Sequence, residues 1–384
     1  MTLLPVPGGP YEIGTSVRHL VDPSRDDILE DAPRPRELML QVWYPASSTA
    51  KGAANRPSMY VDDGSLMQPL EDLMGLPPGT LRHLETVQTH GLRDAPIAED
   101  GPFPVLVFSH GRCGFRGHNT VLVEELASNG YVVATIDHSR AATGVRLPDG
   151  RDLMFDRRLL PPWPRDVLPG IDAQLMDEVL PFLAADVSFV IDELERMNQC
   201  DVTGLLTGKL EMSRLAAFGV SLGGMLAAEA SVADARIGAC LIIDVYLPDS
   251  VVKAGLRVPV MWITRDAGTM CLEGWSRADI DDTHRTMRNV YDRLPGVGYI
   301  VLVPGMFHVD FSDGRLLTPL IAELGLSGSV PLERALALVG GYSSAFFDTH
   351  VKGVPASLLQ PEANANSDVL FESRVAPSRA HASI

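Results

Sequence analysis

The sequence predicts the α/β class, with a doubly wound, mostly parallel sheet that is covered by helices on both faces. Two observations support this prediction. Short, continuous apolar runs recur along the chain, and such runs are typical of strands buried on both faces. Helical patterns separate most of these runs, and an alternation of strand and helix gives parallel strands joined by right-handed crossovers.

The predicted buried strands are apolar and bounded by turn-forming residues. They lie at residues 38–44, 103–108, 131–136, 215–220, 239–245, 258–263 and 299–303.

Helices are predicted between these strands from their end signals and apolar spacing. One begins at Asn119 or Thr120 and ends before Gly130, because Asn and Thr favour a helix start and Gly favours the position just beyond its end. A second begins near Phe182, with Pro181 in its first turn, and carries apolar residues at helical spacing. A third is the small-residue segment 224–235.

The strong strand and helix signals predict one large α/β domain at residues 37–352. Residues 1–36 are interpreted as an N-terminal extension, and residues 353–384 as a partly disordered tail rich in Pro, Ser, Ala and Asn. Cap or rim insertions are expected at about 46–102, 140–172 and 311–340, near the carboxyl edge of the sheet, where ligands bind in open α/β folds.

The composition excludes several functional classes. A net charge of −17 disfavours a nucleic-acid partner or an anionic membrane surface. The four cysteines lack C-x-x-C spacing, so neither a metal site nor a disulfide framework is predicted, and no cofactor is expected. The N-terminus lacks a signal-peptide pattern, and every apolar run is shorter than the roughly 18 residues of a membrane span. A cytoplasmic protein without membrane insertion is therefore expected.

The strongest chemical motif is GVSLG at residues 219–223, between the strand at 215–220 and the helix at 224–235. A G-x-S-x-G sequence between strand and helix is the nucleophile elbow of the α/β-hydrolase fold. The sharp turn exposes the serine hydroxyl above a helix N-terminus, which favours developing negative charge. Ser221 is therefore the predicted nucleophile.

A serine nucleophile needs a general base, which in this fold comes later in the chain. His308 follows the predicted strand 299–303 and the turn at Pro304, where a loop at the carboxyl edge belongs. His284 lies in a charged, helix-like stretch and His350 in the last predicted helix. His308 is therefore the predicted base.

Two aspartates are candidates for the acid that orients this histidine. Asp244 ends the apolar run 239–243, and Asp266 follows the next strand. Either carboxylate could stabilise a protonated imidazole, and the residues alone leave the choice open. The oxyanion hole needs two backbone N–H groups, predicted at Leu222 after the nucleophile and at Arg112 in the loop after strand 103–108.

Several motifs resemble the plasma and type II platelet-activating-factor acetylhydrolases and their bacterial and fungal esterase relatives. The segment FPVLVFSHGRCGFR at residues 103–116 is similar to that family's Ser-His-Gly region, and the similarity extends over about residues 37–352. Further similar segments are WYP at 43–45, LASNGYVVA at 126–134, DH at 137–138, AFGVS at 217–221, HVDFSD at 308–313 and AFF at 345–347.

This resemblance implies an α/β-hydrolase fold, an esterase activity and an acid at the strand after the elbow helix. That position is Asp244, which the resemblance therefore favours over Asp266. It also supports Arg112 as an oxyanion donor, although the mammalian members have an apolar residue there, and Val220 stands where many members carry His. The interfacial membrane helices of the mammalian members have no counterpart signal here, so the resemblance does not imply a phospholipid substrate.

The leading hypothesis is a serine hydrolase that cleaves a small-molecule carboxylic ester, lactone or thioester through an acyl-serine intermediate. A second hypothesis keeps the acyl-serine but passes the acyl group to an alcohol or amine, as an acyltransferase or cyclase does. A third, from another class, is a non-catalytic binding protein on a hydrolase scaffold. The complete set of candidate residues favours an enzyme.

Overall fold

The computed structural model describes residues 4–28, 33–48, 56–62, 66–156, 178–364 and 368–374. Its main feature is a mixed 11-stranded sheet, accompanied by a two-stranded hairpin of β7 and β8. The strands of the described residues are β1 (Glu12–Asp26), β2 (Pro35–Ala46), β3 (Pro57–Met59), β4 (Gln88–Arg93), β5 (Phe103–Ser109), β6 (Val132–Asp137), β7 (Gly144–Arg146), β8 (Asp152–Met154), β9 (Leu210–Val220), β10 (Cys240–Ile243), β11 (Val260–Thr264), β12 (Gly298–Leu302) and β13 (Leu370–Arg374).

The centre of the large sheet is parallel. Its order is β13-β12-β11-β10-β9-β5-β6-β2-β1-β4-β3, and the strands from β12 to β6 run parallel to one another. β2 pairs with β6 and β13 pairs with β12 in the antiparallel sense. Continuous apolar runs predicted all of these parallel strands, whose two faces are covered, together with the antiparallel β2.

Helices cover both faces of this sheet. The helices of the described residues are α1 (Met67–Met74), α2 (Thr120–Ser128), α3 (Leu180–Cys200), α4 (Leu222–Ala233), α5 (Asp249–Ala254), α6 (Ala267–Leu272), α7 (Arg277–Tyr291), α8 (Gly314–Leu317), α9 (Leu320–Glu323) and α10 (Leu332–Phe347).

Two apolar cores separate the layers. One contains Val105 and Val107 of β5 with the buried face of α3 and α4, and the other contains Leu106 and Phe108 of β5 with α2 and α10. Successive residues of β5 thus enter opposite cores, as the two-residue period of a strand requires. This three-layer arrangement and the mostly parallel sheet confirm the predicted α/β-hydrolase fold.

The segments at the two ends of the chain take part in the same sheet. β1, within residues 1–36, pairs with β2 from Glu12 opposite Ala46 to Asp22 opposite Arg36. β13, within residues 353–384, adds to the far edge. Both strands mix polar and apolar residues, so they lack the continuous apolar run that identifies the central strands.

The predicted insertions contain short elements. Residues 46–102 include β3, α1 and β4, and residues 311–340 include α8, α9 and the first turns of α10. The hairpin β7–β8 belongs to the insertion at 140–172, whose residues 157–172 lie outside the described part of the chain.

Candidate active site

The predicted catalytic residues meet at one edge of the sheet. Ser221 follows β9, Asp244 follows β10, and His308 begins a 3₁₀ turn (His308–Phe311) after β12. Because β9, β10, β11 and β12 are parallel neighbours, their carboxyl ends share this edge. Ligands of open α/β sheets bind at such an edge.

Ser221 occupies a strained turn between β9 and α4. Its φ of 55° and ψ of −125° lie in a region that non-glycine residues rarely adopt, a strain that clusters at functional sites. The turn is held by a hydrogen bond from the Ser221 N–H to the Ile243 carbonyl of β10, 2.8 Å long. The side chain is partly exposed, so a substrate can reach it.

Gly223 allows the elbow to pack against the loop after β5. A Cβ atom at Gly223 would overlap the carbonyl group of Ser109. This carbonyl belongs to the backbone, so it cannot rotate away as a side chain could. We expect Gly223→Ala to lower the free energy of unfolding by about 2 kcal/mol or more, as overpacking does.

Urea unfolding measures this effect, and Gly340→Ala is the matched control. Gly340 lies inside α10, and a Cβ there meets nothing within 4 Å. Alanine should raise stability there by up to about 1 kcal/mol, because it favours helix. Equal stability of Gly223→Ala and the unaltered protein would contradict the close packing of the elbow.

His308 is paired with Asp244. Its Nδ1 lies 2.5 Å from Asp244 Oδ2, and the His308 side chain remains 31% exposed while that of Asp244 is fully buried. A histidine that donates from Nδ1 to a carboxylate keeps Nε2 as its proton acceptor in the neutral ring. His350, which the sequence assigns to the last helix and not to the site, has Nε2 3.1 Å from the Tyr299 hydroxyl.

Asp266 has a different partner. It lies just before α6, where Oδ1 accepts the Thr269 N–H at 3.0 Å and Oδ2 accepts the Thr269 hydroxyl at 2.5 Å. These contacts form a side-chain N-cap, which satisfies backbone donors that the helix itself leaves unpaired. Of the two candidate acids, Asp244 contacts His308 and Asp266 caps a helix.

A buried arginine balances the charge of Asp244. Arg265 Nε lies 3.0 Å from Asp244 Oδ1, and the same oxygen accepts the Thr264 hydroxyl at 2.7 Å. Burial alone would raise the pKa of Asp244, but the Arg265 guanidinium, His308 and Thr264 together lower it below its ordinary value. Asp244 is therefore ionised throughout the neutral pH range.

Arg265 also joins Asp244 to a second carboxylate, Glu273. Arg265 forms an ion pair with Glu273, whose two oxygens lie 3.2 and 3.3 Å from the backbone nitrogen of His308. The guanidinium stacks over Trp275 at 4.5 Å, and the Trp275 and His308 ring centres lie 5.4 Å apart. Both the side chain and the backbone of His308 are thus tied to Arg265.

Removing the Arg265 charge is expected to destabilise the fold. Arg265→Met would leave Asp244 and Glu273 without their shared cation, and breaking a buried ion pair costs about 3–5 kcal/mol.

Arg288→Met provides the control for this change, because Arg288 pairs with Glu372 at 2.6 Å between side chains that are 42% and 44% exposed. Such an exposed pair contributes at most about 1 kcal/mol. Chemical denaturation of both variants measures the difference, and an equal loss in the two would contradict the charge-balancing role of Arg265.

The candidate oxyanion donors lie on either side of the serine. Leu222 is the first residue of α4, so its N–H has no carbonyl one turn earlier within the helix. Arg112 follows Gly111, and a Cβ on Gly111 would lie 3.4 Å from Ser221 Cβ. The loop after β5 is therefore in contact with the elbow.

His118 is a further residue near His308 that no sequence motif identifies. Burial, together with nearby His308, lowers the pKa of His118 to about 4, so its ring is neutral at neutral pH. The ring stacks on Phe115 with centres 6.2 Å apart, and Nδ1 is buried without a hydrogen-bond partner. It stands two residues beyond the similar segment 103–116, so no motif of the sequence pointed to it.

Within the described residues, no group of three or more His, Cys, Asp or Glu side chains is arranged to hold a metal ion. None of the helices in the described part of the chain combines the length and apolar character needed to cross a bilayer.

Comparison with known proteins is consistent with this geometry. Residues 1–146 match the family described as platelet-activating factor acetylhydrolase, isoform II. A probable 1-alkyl-2-acetylglycerophosphocholine esterase of the fungus Arthroderma benhamiae is 24% identical, over 96% of this chain and 93% of the fungal protein. A platelet-activating factor acetylhydrolase of Cavia porcellus is 26% identical over 37% of this chain and 31% of its own length.

A solved esterase structure is similar to this chain over nearly its whole length. The ferulic acid esterase of Streptomyces cinnamoneus superposes with a TM-score of 0.73 and 28% identity, covering 95% of this chain and 98% of that one. This chain is an esterase-type α/β-hydrolase. The predicted resemblance to the platelet-activating-factor acetylhydrolases and the prediction of a carboxylic ester hydrolase are confirmed.

Proposed function

We propose that the enzyme hydrolyses small-molecule carboxylic esters through an acyl-serine intermediate on Ser221. His308 acts as general base, and Asp244 orients it. The observation that supports this proposal best is the 2.5 Å contact between His308 Nδ1 and Asp244, at the sheet edge where the strained Ser221 lies.

The first half-reaction forms the acyl-enzyme. Ser221 Oγ attacks the ester carbonyl carbon while its proton passes to His308 Nε2. The carbonyl oxygen becomes an oxyanion that accepts hydrogen bonds from the backbone N–H groups of Leu222 and Arg112. When the intermediate collapses, the bond to the alcohol oxygen breaks and the alcohol leaves with the proton from His308.

The second half-reaction releases the acid. A water molecule gives a proton to His308 Nε2 and attacks the acyl carbon. The second tetrahedral intermediate then collapses, the bond to Ser221 Oγ breaks, and Oγ takes the proton back from His308 as the acid leaves. Asp244 stays ionised in both halves, because its lowered pKa keeps it an acceptor for the Nδ1–H. It therefore stabilises the imidazolium that forms twice in each cycle.

The names of the relatives guide the choice of substrates. One relative is named for an acetylated glycerophosphocholine and another for ferulic acid, so carboxylic esters are the common class. We propose an ester as the substrate and place the lactones and thioesters of the wider hypothesis in the same assay.

A substrate panel tests this proposal. It contains p-nitrophenyl acetate, 1-alkyl-2-acetylglycerophosphocholine, ethyl ferulate, a lactone and a thioester, each assayed with and without an added alcohol or amine. We expect at least one ester to yield free acid and alcohol in equal amounts without the acceptor. A product formed only when the acceptor is present would indicate acyl transfer, and no turnover of any ester would contradict the proposal.

A further inference from the structure

A buried chain of polar side chains lies behind the loop that follows β5. Ser109 Oγ is 3.0 Å from His138 Nε2, and His138 Nδ1 is 3.0 Å from Asp186 Oδ2 on α3. The three residues are at most 1% exposed. They have the order of a Ser-His-Asp triad, but no substrate can reach this serine.

Asp186 is a fixed anion at the far end of this chain. Arg36 of β2 bonds to its carboxylate at 2.8 and 3.2 Å, and Arg25 of β1 bonds at 2.9 Å. Burial would raise the pKa of Asp186, but Arg36 and His138 lower it below its ordinary value. A carboxylate only accepts, so the His138 Nδ1–H donates to Asp186, and Nε2 of the same ring is left to bond with the Ser109 hydroxyl.

Arg36 links this chain to the strands that precede the hydrolase motifs. Its guanidinium is fully buried, and it also contacts Asp27 at 3.2 Å and the carbonyl of Ser139 at 2.9 Å. Such a network has little freedom to shift, because every charged group in it would lose a buried partner.

The near end of the chain reaches the loop beside the nucleophile. The His138 N–H donates to His110 Nε2 at 3.3 Å, and the His110 Nδ1–H donates to the Gly111 carbonyl at 2.7 Å. Burial, with His138 as a second cause, lowers the pKa of His110 to about 3, so this ring is neutral and can accept at Nε2. The loop passes close to the elbow, since a Cβ on Gly111 would lie 3.4 Å from Ser221 Cβ and a Cβ on Gly223 would overlap the Ser109 carbonyl.

We infer that His138 is a positioning residue, which holds the loop at residues 109–112 so that the Arg112 N–H points at the oxyanion. This inference rests on the proposed function, since it assumes attack by Ser221 and an oxyanion beside the loop. Hydrogen-bond donors act on the oxyanion only when they are fixed in advance, and a misplacement of about 1 Å costs on the order of 100-fold in rate.

Two variants interrupt the chain at different points. Ser109→Ala removes only the hydroxyl and is the smaller change. His138→Asn keeps a donor near the Nδ1 position and loses the bond to Ser109. Both should lower kcat for p-nitrophenyl acetate by about 10- to 100-fold with KM changed less than about threefold. A trifluoromethyl ketone forms a tetrahedral adduct on the serine. Both variants should bind this inhibitor more weakly, by the same factor as the loss in kcat.

His90→Asn is the matched control. His90 Nδ1 contacts the buried carboxylate of Glu124 at 2.8 Å, which is the same type of pair on other elements, β4 and α2. It should lower the melting temperature without changing kcat per folded site, as counted by fluorophosphonate titration. The positioning role is overturned if folded Ser109→Ala and His138→Asn keep the kcat and the ketone affinity of the unaltered enzyme.

The same titration separates this inference from the proposed function. If the unaltered enzyme hydrolyses the ester without reacting with the fluorophosphonate at Ser221, the acyl-serine mechanism and the inference fail together. If Ser221 is labelled and both variants match the unaltered enzyme, only the inference fails.

Discussion

Replacing Ser221 with alanine is expected to lower kcat for p-nitrophenyl acetate by about 10⁶-fold, as removal of the nucleophile does in other serine hydrolases. The substitution deletes one hydroxyl from a partly exposed side chain. Stability should therefore stay within about 0.5 kcal/mol of that of the unaltered enzyme. Stopped assays over long incubations, with the folded fraction measured by circular dichroism, give both quantities.

Ser231→Ala is the control for that experiment. Ser231 lies on the same helix, α4, and its hydroxyl donates to the Ala227 carbonyl at 2.7 Å. This variant should keep kcat within about twofold, since it lies two helical turns beyond the elbow. A Ser221→Ala enzyme that retains more than a tenth of the unaltered kcat would show that another group attacks the ester.

The second large effect is expected at Asp244. Asp244→Asn should lower kcat by about 10⁴-fold, the size found when a triad aspartate becomes an amide. The amide cannot stabilise the imidazolium that forms when Ser221 loses its proton, and it can donate to Nδ1 and so select the wrong tautomer of His308. Steady-state kinetics over pH 6–9 measure the loss, which should persist across that range because Asp244 is ionised throughout it.

Asp266→Asn is the matched change at the other candidate acid. Asparagine also accepts backbone N–H bonds at a helix start, so α6 should lose only a few tenths of a kcal/mol. We expect kcat within about twofold of the unaltered value. The reverse pattern, with Asp266→Asn inactive and Asp244→Asn active, would mean that Asp266 is the acid.

These two aspartates also illustrate what the sequence could predict. Ser221 could be predicted as the nucleophile because every element of the elbow is local. The strand, the glycines and the helix are contiguous in the chain. Asp244 and Asp266 each follow a buried strand, and both strands end at the same sheet edge. The distinction between them depends on which carboxylate meets His308, a contact between residues 64 positions apart.

The charge balance around the base was not predicted for the same reason. Arg265 stands between Thr264 and Asp266, where a charged residue after a strand is usually a solvent-facing loop residue. Its burial depends on Glu273 and Trp275, which reach it from the end of α6 and the loop beyond. None of these residues has a local pattern that indicates the contact.

The strands that could be predicted are those whose burial on both faces gives a continuous apolar run in the sequence. The parallel strands β5, β6, β9, β10, β11 and β12 have continuous apolar runs, because helices cover both of their faces. β1 has polar residues such as Arg18 and His19 within the strand, and β13 is partly exposed along its length. Strands of this kind are defined by their pairing, β1 with β2 and β13 with β12, rather than by an apolar run, so their sequences resemble those of loops.

The most direct measurement of the central claim is covalent labelling of the serine. The enzyme is treated with a fluorophosphonate, its intact mass is recorded, and the modified residue is found by peptide mapping, with Ser221→Ala as the control. We expect one adduct per chain, located on Ser221, and loss of esterase activity in proportion to labelling. An adduct on another residue, or full ester turnover in a labelled enzyme, would contradict the acyl-serine mechanism.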